Sequence, residues 1–216
     1  MPGRRRNRKS RNWADRHLGD QYVRKAQQSG YRARSVYKLI DIDRKYNLIR
    51  PDSRIIDLGS SPGGWSQYAS SRISARNRIT CVDRLPMPPL EKTLFIQGDF
   101  TDPETRRQAR DSSPNGWFDL VLSDMAPNIT GIRPADQANA EELQYAILEF
   151  CRIALRPGGR LLTKYFEGEN AHVFRKRFQG HFDQIRVIKP DASRPESREV
   201  YLLGGGFKPM DSGGIH

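Results

Sequence analysis

The stretch Asp57-Leu58-Gly59-Ser60-Ser61-Pro62-Gly63-Gly64-Trp65 constrains the fold more than any other part of the chain. The apolar pair Ile55-Ile56 precedes it, and Ser66-Gln67-Tyr68-Ala69, able to begin a helix, follows it. An apolar strand that runs into a glycine-rich turn and then a helix is the opening unit of an open α/β sheet. Glycine lacks a Cβ and tolerates positive φ, so a ligand can approach bare backbone at such a turn. In sheets of this kind ligands bind outside the carboxyl ends of the strands. The turn does not have the spacing G-x-G-x-x-G of dinucleotide sites. It also lacks the Gly-Lys-Ser/Thr of a phosphate-gripping loop.

The remaining pattern extends this unit. Helix signals cover 20–28 and, from a cap at Ser35, run to about Tyr46 with Val36, Leu39 and Ile40 at helical spacing. Strand signals at 55–58, 79–83, 94–97, 117–123, 160–166, 182–188 and 198–203 alternate with helix signals at 64–71, 101–110, 138–155 and 170–178. Thr101 or Asp102 is placed to cap the second of these strand-linked helices, and Arg156-Pro157-Gly158-Gly159 to stop the third. Alternation predicts an α/β fold: a mostly parallel sheet with helices on both faces. The link from Lys189 to Ser197 has no helix pattern and is too short for a parallel crossover, which predicts one antiparallel strand near the sheet edge. We expect a basic arm over 1–11 that is mobile when free, one domain over 12–204 and a loose tail over 205–216.

Charge narrows the partners. The formal net charge is +12, and the first eleven residues hold six basic side chains and no acidic one. Such a block is either a solubilising tail or a site for a polyanion that releases counterions on binding. Excess basic residues continue past the arm at Arg24, Lys25, Arg32, Arg34 and Lys38, which favours nucleic acid. No apolar run reaches the ~18 residues of a membrane helix, and no apolar segment behind the arm completes a secretory signal. Cys81 and Cys151 lie in apolar runs and read as reduced core residues of a cytoplasmic protein. His17, His172, His181 and His216 lack metal-ligand spacing, so no metal site is expected.

Acids close successive predicted strands. Asp83 can take a ribose diol, Asp99 in Gly98-Asp99-Phe100 can accept from an adenine amino group, and Asp57 can hold an amino group or a water. A ligand with adenine, ribose and a charged amino-acid tail suits these three, and S-adenosylmethionine is such a ligand. Further on, Asp124 ends a strand, Lys164 interrupts the apolar run Leu161-Leu162-Thr163-Lys164-Tyr165-Phe166, and Glu199 and Tyr201 share a face by period two. A lysine in a buried strand is costly without a partner. With Lys38 on the early helix, two lysines and two carboxylates can converge beside the glycine turn.

Five segments together carry a specific resemblance: Ser35-Val36-Tyr37-Lys38-Leu39, Asp57-Leu58-Gly59-x-x-Pro62-Gly63-Gly64-Trp65-Ser66-Gln67, Ser123-Asp124-Met125-Ala126-Pro127-Asn128, Thr163-Lys164-Tyr165-Phe166 and Ser197-Arg198-Glu199-Val200-Tyr201. They resemble the FtsJ/RrmJ family of RNA ribose 2′-O-methyltransferases over about Trp13 to Leu203. The resemblance implies a Rossmann-like, S-adenosylmethionine-dependent methyltransferase fold with a seven-stranded sheet. It implies a Lys-Asp-Lys-Glu tetrad at Lys38, Asp124, Lys164 and Glu199. It implies cofactor contacts at Gly63, Trp65, Asp83, Asp99 and Asp124, to which the residue reading adds Asp57, Gly59 and Pro62 of the turn. Arg32, Arg34, Arg194 and Tyr201 correspond to RNA contacts, and the implied substrate is a uridine ribose in the A-loop of 23S ribosomal RNA within the large subunit. A monomer suffices. Transfer to tRNA or another RNA is an alternative, and so is a noncatalytic RNA-binding assembly factor.

The chemistry agrees with the tetrad. A ribose hydroxyl must lose its proton as it attacks a methyl carried by a sulfonium. Lysine ordinarily titrates near ~10.4, so a lysine base needs burial or a second ammonium beside it. Lys164 therefore reads as the base, oriented by Asp124, with Lys38 and Glu199 positioning the hydroxyl. The rival role is a charged Lys164 that stabilises the developing alkoxide.

Overall fold

The computed structural model describes residues 21–127, 130–166, 171–194 and 197–209. The expected basic arm, Asn128 of the third segment and most of the expected tail lie outside the described residues. Helix α1 covers residues 21–28, followed by α2 (Val36–Tyr46) and then β1 (Ile55–Leu58), α3 (Gly64–Arg72), β2 (Ile79–Asp83) and β3 (Thr93–Gln97). The second half runs α4 (Pro103–Asp111), β4 (Phe118–Ser123), α5 (Arg133–Ala154), β5 (Leu155–Phe166), α6 (Ala171–His181), β6 (Phe182–Ile188) and β7 (Glu199–Phe207).

The strands form one sheet in the order β3-β2-β1-β4-β5-β7-β6. β1 pairs in parallel with both β2 and β4, so the chain direction of the connections reverses at β1 and opens a crevice at the carboxyl ends of these strands. β7 is antiparallel to β5 and to β6, and it sits one place in from the edge. All four residues of β1 are buried, as a central parallel strand covered on both faces requires.

Alternation along the strands divides the core in two. One face gathers Ile55, Leu120, Leu122, Leu162 and Tyr201 under Leu39 of α2 and Trp65 of α3. The other gathers Ile56, Val121, Leu161 and Leu202 under Phe150 of α5 and Phe174 of α6. Cys81 and Cys151, one in each layer, are free and buried. No helix among the described residues is long and apolar enough to cross a membrane.

Three element boundaries lie four or more residues from expectation, and one expected cap is not made. α5 begins at Arg133 rather than Ala138, because a Pro at its first turn fits a helix start and Asp136 accepts from the Thr130 and Gly131 amides. β5 begins at Leu155, and the Arg-Pro-Gly-Gly segment that stops the helix is absorbed into it as a register irregularity opposite Phe118 and Leu120. β7 continues to Phe207, past the expected end of the domain at 204. There a Cβ on Gly204 would stand 2.7 Å from the Phe182 ring, so the missing side chain makes room for the aromatic across the strands. Ser35 occupies the N-cap position of α2 but makes no side-chain cap, because its helical backbone (φ −59°, ψ −19°) aims the hydroxyl away from the free amides; Asp102 does cap α4, through the Glu104 and Thr105 amides.

Candidate active site

The crevice holds a cavity of about 430 Å³. Its wall comes from Gly59 after β1, Asp83 and Arg84 at the end of β2, Gly98 to Thr101 after β3, Asp124 to Pro127 after β4, and Asn139, Glu142 and Leu143 of α5. The glycine turn and the acids point to the strand-end part of this wall. Nothing in the sequence points to the α5 part, since Asn139 and Glu142 read as the solvent side of an amphipathic helix and Leu143 as core.

Gly59 makes the wall possible. Its φ is +77°, and a Cβ there would stand 2.5 Å from Met125 Cγ and 3.3 Å from the Met125 backbone. The Asp83 carboxylate then fixes the turn, accepting from the Ser61 amide at 2.9 Å and from the Leu85 amide at 2.8 Å. Asp99 accepts from the hydroxyl and amide of Thr101, and these bonds hold its carboxyl below the usual range despite some burial. It remains an ionised acceptor on the cavity wall.

Other turn residues lie behind the wall. Asp57 is completely buried, accepts from the Ser66 hydroxyl at 2.6 Å through one oxygen, and has no side-chain or backbone donor on the other. Burial pushes its carboxyl up to about 7, opposed by Ser66 and reinforced by repulsion from Asp124 and Asp83. Trp65 is buried; its indole N–H donates to the Ser35 carbonyl at 2.9 Å and its ring packs 5.7 Å from that of Tyr201. It therefore ties α3 to α2 instead of facing the cavity. Pro62 and Gly63 lie in the turn outside the cavity lining, where Gly63 (φ +109°) leads into α3. The Pro62 carbonyl accepts from Arg32, whose guanidinium also donates to the carbonyls of Pro88 and Pro89. Arg32 is a clamp between the turn and the segment after β2.

The four tetrad side chains meet beside the cavity. Lys164 Nζ lies 2.9 Å from Asp124 Oδ1 and donates to the Asp124 carbonyl at 2.7 Å. Lys38 Nζ is paired with Glu199 Oε1. β5 and β7 bring the two pairs together, because Lys164 stands opposite Tyr201 and Phe166 opposite Glu199 in the antiparallel register. Both lysines are nearly buried yet partnered, which removes the cost of an isolated buried charge. Burial alone would raise the Glu199 carboxyl, but the Lys38 hydrogen bond and charge outweigh it, with help from Lys164, so its pKa is lowered. Behind β5, the buried Gln144 of α5 donates to the Lys164 carbonyl at 2.7 Å and accepts from the Thr163 hydroxyl at 3.2 Å.

One expected RNA contact requires correction. Tyr201 has no exposed surface, and its hydroxyl donates into the tetrad. A ring sealed under Lys38 and against Trp65 presents nothing to an external strand. Arg34 is partly exposed and Arg194 exposed, on the α1–α2 and β6–β7 links respectively.

The sequence pattern of FtsJ-like methyltransferases matches residues 31–207. The chain is 44% identical over 203 residues to "Ribosomal RNA large subunit methyltransferase E" of Stutzerimonas stutzeri, covering 94% of this chain and 98% of that protein. A protein of the same name from Methylobacillus flagellatus is 45% identical over 195 residues, covering 90% and 94%. Among solved structures, a ribosomal RNA methyltransferase of Plasmodium falciparum aligns with a TM-score of 0.73 at 28% identity, over 82% of this chain and 98% of that one.

Proposed function

Because the chain belongs to the FtsJ-like methyltransferase family, we propose that it transfers a methyl group from S-adenosylmethionine to a ribose 2′-hydroxyl of 23S ribosomal RNA, a uridine of the A-loop in the large subunit. It would act as a cytoplasmic monomer. The relatives' shared name supports the large-subunit substrate. One observation carries the reading: Asp124 lines the cavity and, through the same side chain, holds Lys164. The acceptor's proton and the ligand space thus meet at a single residue.

The residues suit S-adenosylmethionine. The cavity falls in the range of about 300–1,000 Å³ typical of small-molecule sites. Asp99 supplies an ionised acceptor for the adenine amino group, and Asp83 keeps lone pairs beyond its two backbone amides for a ribose diol. Gly59 leaves backbone bare beside Met125. Asp124 offers negative charge toward a cationic ligand. The bound group supplies an electrophilic methyl on a positively charged sulfur.

The protein's part is proton handling and orientation. Lys164 takes the proton of the 2′-hydroxyl as the oxygen attacks, and Asp124 aims the amine through its side chain and carbonyl. Lys38, fixed by Glu199, donates to the ribose oxygen and keeps it in line. The near-burial of both lysines limits competing water. Arg34 and Arg194 provide phosphate contacts, while Arg32 holds the glycine turn through the carbonyls of Pro62, Pro88 and Pro89.

The test is methyl transfer with tritiated S-adenosylmethionine to large subunits from cells lacking the protein, beside deproteinised 23S RNA and bulk tRNA. The labelled nucleotide is then mapped by mass spectrometry. Label on one 2′-O-methyluridine of 23S RNA is expected. Label on tRNA alone would reject the substrate, and RNA binding without label anywhere would reject catalysis.

A further inference from the structure

Tyr201 is a neighbour of the tetrad that is neither lysine nor carboxylate, and it touches both acids. Its hydroxyl lies 2.6 Å from Asp124 Oδ1 and 3.2 Å from Glu199 Oε1. A phenol has a single proton, so it can donate to only one of them at a time. The shorter contact goes to Asp124. Glu199 Oε1 also accepts from Lys38, just as Asp124 Oδ1 accepts from Lys164 Nζ at 2.9 Å, so distance decides and the phenol's proton goes to Asp124.

We propose that Tyr201 is a positioning residue whose hydrogen bond to Asp124 weakens the hold of that carboxylate on the Lys164 proton. The inference rests on the reading of Lys164 as the base. A carboxylate that already accepts a short bond from a phenol has less charge to offer a neighbouring ammonium. The phenol itself stays protonated, since burial first and then Asp124 and Glu199 raise its pKa well above the ordinary value. The charged and titratable groups around it are Lys38 of α2, Asp124 after β4, Lys164 of β5 and Glu199 of β7, with Asp57 of β1 in repulsion with Asp124. From α3 the indole of Trp65 packs against the ring.

Tyr201→Phe keeps the ring and its packing and removes only the donor. Asp124 then grips the Lys164 ammonium more strongly. The lysine base works above the pH at which it loses its proton, so the pH of half-maximal single-turnover rate must rise. A lost hydrogen bond to a charged acceptor predicts a rise of about one pH unit, with a roughly tenfold slower rate on the acidic limb and an unchanged KM for RNA. Replacing tyrosine by 3-fluorotyrosine, a stronger donor, moves the half-rate pH down and tests the same bond without a cavity or a missing group.

A readout independent of turnover is the ¹³Cε resonance of Lys164 in the ligand-free protein, assigned by its loss in Lys164→Ala. Its titration moves to higher pH in Tyr201→Phe. An unmoved resonance in both tyrosine variants overturns the proposal, as does a raised KM for RNA with an unmoved limb, which would make Tyr201 a substrate contact. If the resonance moves while the native enzyme has no acidic limb, Tyr201 tunes Lys164 as proposed and the base assignment fails instead.

Discussion

Replacing Asp57 by asparagine isolates a buried titration. The carboxyl is fully buried, one oxygen has no protein donor, and burial pushes its pKa from the ordinary 3.8 to about 7. Such a rise corresponds to about 4 kcal/mol of differential interaction. The sign follows from linkage: between ~4 and ~7 the folded state binds a proton that the unfolded state has released, so stability falls as pH rises through this window and levels above it. The amide introduced by Asp57→Asn keeps an acceptor for Ser66 and cannot titrate. Its own N–H groups, left without a partner, cost about 1–3 kcal/mol at every pH. The informative quantity is therefore the stability of the native protein minus that of Asp57→Asn, measured by urea unfolding at a series of pH values. This subtraction removes the titrating groups that do not interact with Asp57. We expect it to fall by about 3 kcal/mol between roughly pH 5 and pH 8. A difference that stays flat across that range refutes the claim that Asp57 ionises at a cost inside the fold.

Three further outcomes are expected. Gly59→Ala places a Cβ against Met125 at positive φ, and calorimetry should give roughly tenfold or more weaker S-adenosylmethionine binding with an intact fold. Gln144→Leu strips partners from the Lys164 carbonyl and the Thr163 hydroxyl; chemical denaturation should report a loss of about 1–3 kcal/mol, and steady-state kinetics a lower kcat at unchanged KM for RNA. Deleting residues 1–11 should weaken RNA binding, reduce the slope of log K against log salt by up to about 4, and leave cofactor affinity unchanged, as filter binding across salt concentrations would record.

The sheet was legible because its signals are local. The buried quartet of β1, the glycine turn and the acids at the ends of β2 and β3 each follow from a few adjacent residues. Lys164 stood out because an ammonium in an apolar strand demands a partner. What stayed hidden depends on contacts between distant segments. Tyr201 read as an RNA contact, since nothing in Glu199-Val200-Tyr201 tells an outward phenol from one donating to an acid 77 positions away. Gln144 sits on a helix behind the sheet, and its grip on β5 needs the packing of α5 to exist at all. Trp65 lies within the cofactor segment but packs inward, because its N–H meets a carbonyl 30 positions earlier. The extra length of β7 was masked by three glycines that disfavour strands until an aromatic ring needs the space.

The most direct test is the single-turnover rate of methyl transfer to large subunits from about pH 5.5 to 9.5, measured for the native enzyme and for Lys164→Ala. A rate that climbs with pH to a plateau in the native enzyme, and a variant roughly a thousandfold slower that still binds S-adenosylmethionine and RNA, is the predicted result. A Lys164→Ala protein that turns over at the native rate would contradict it.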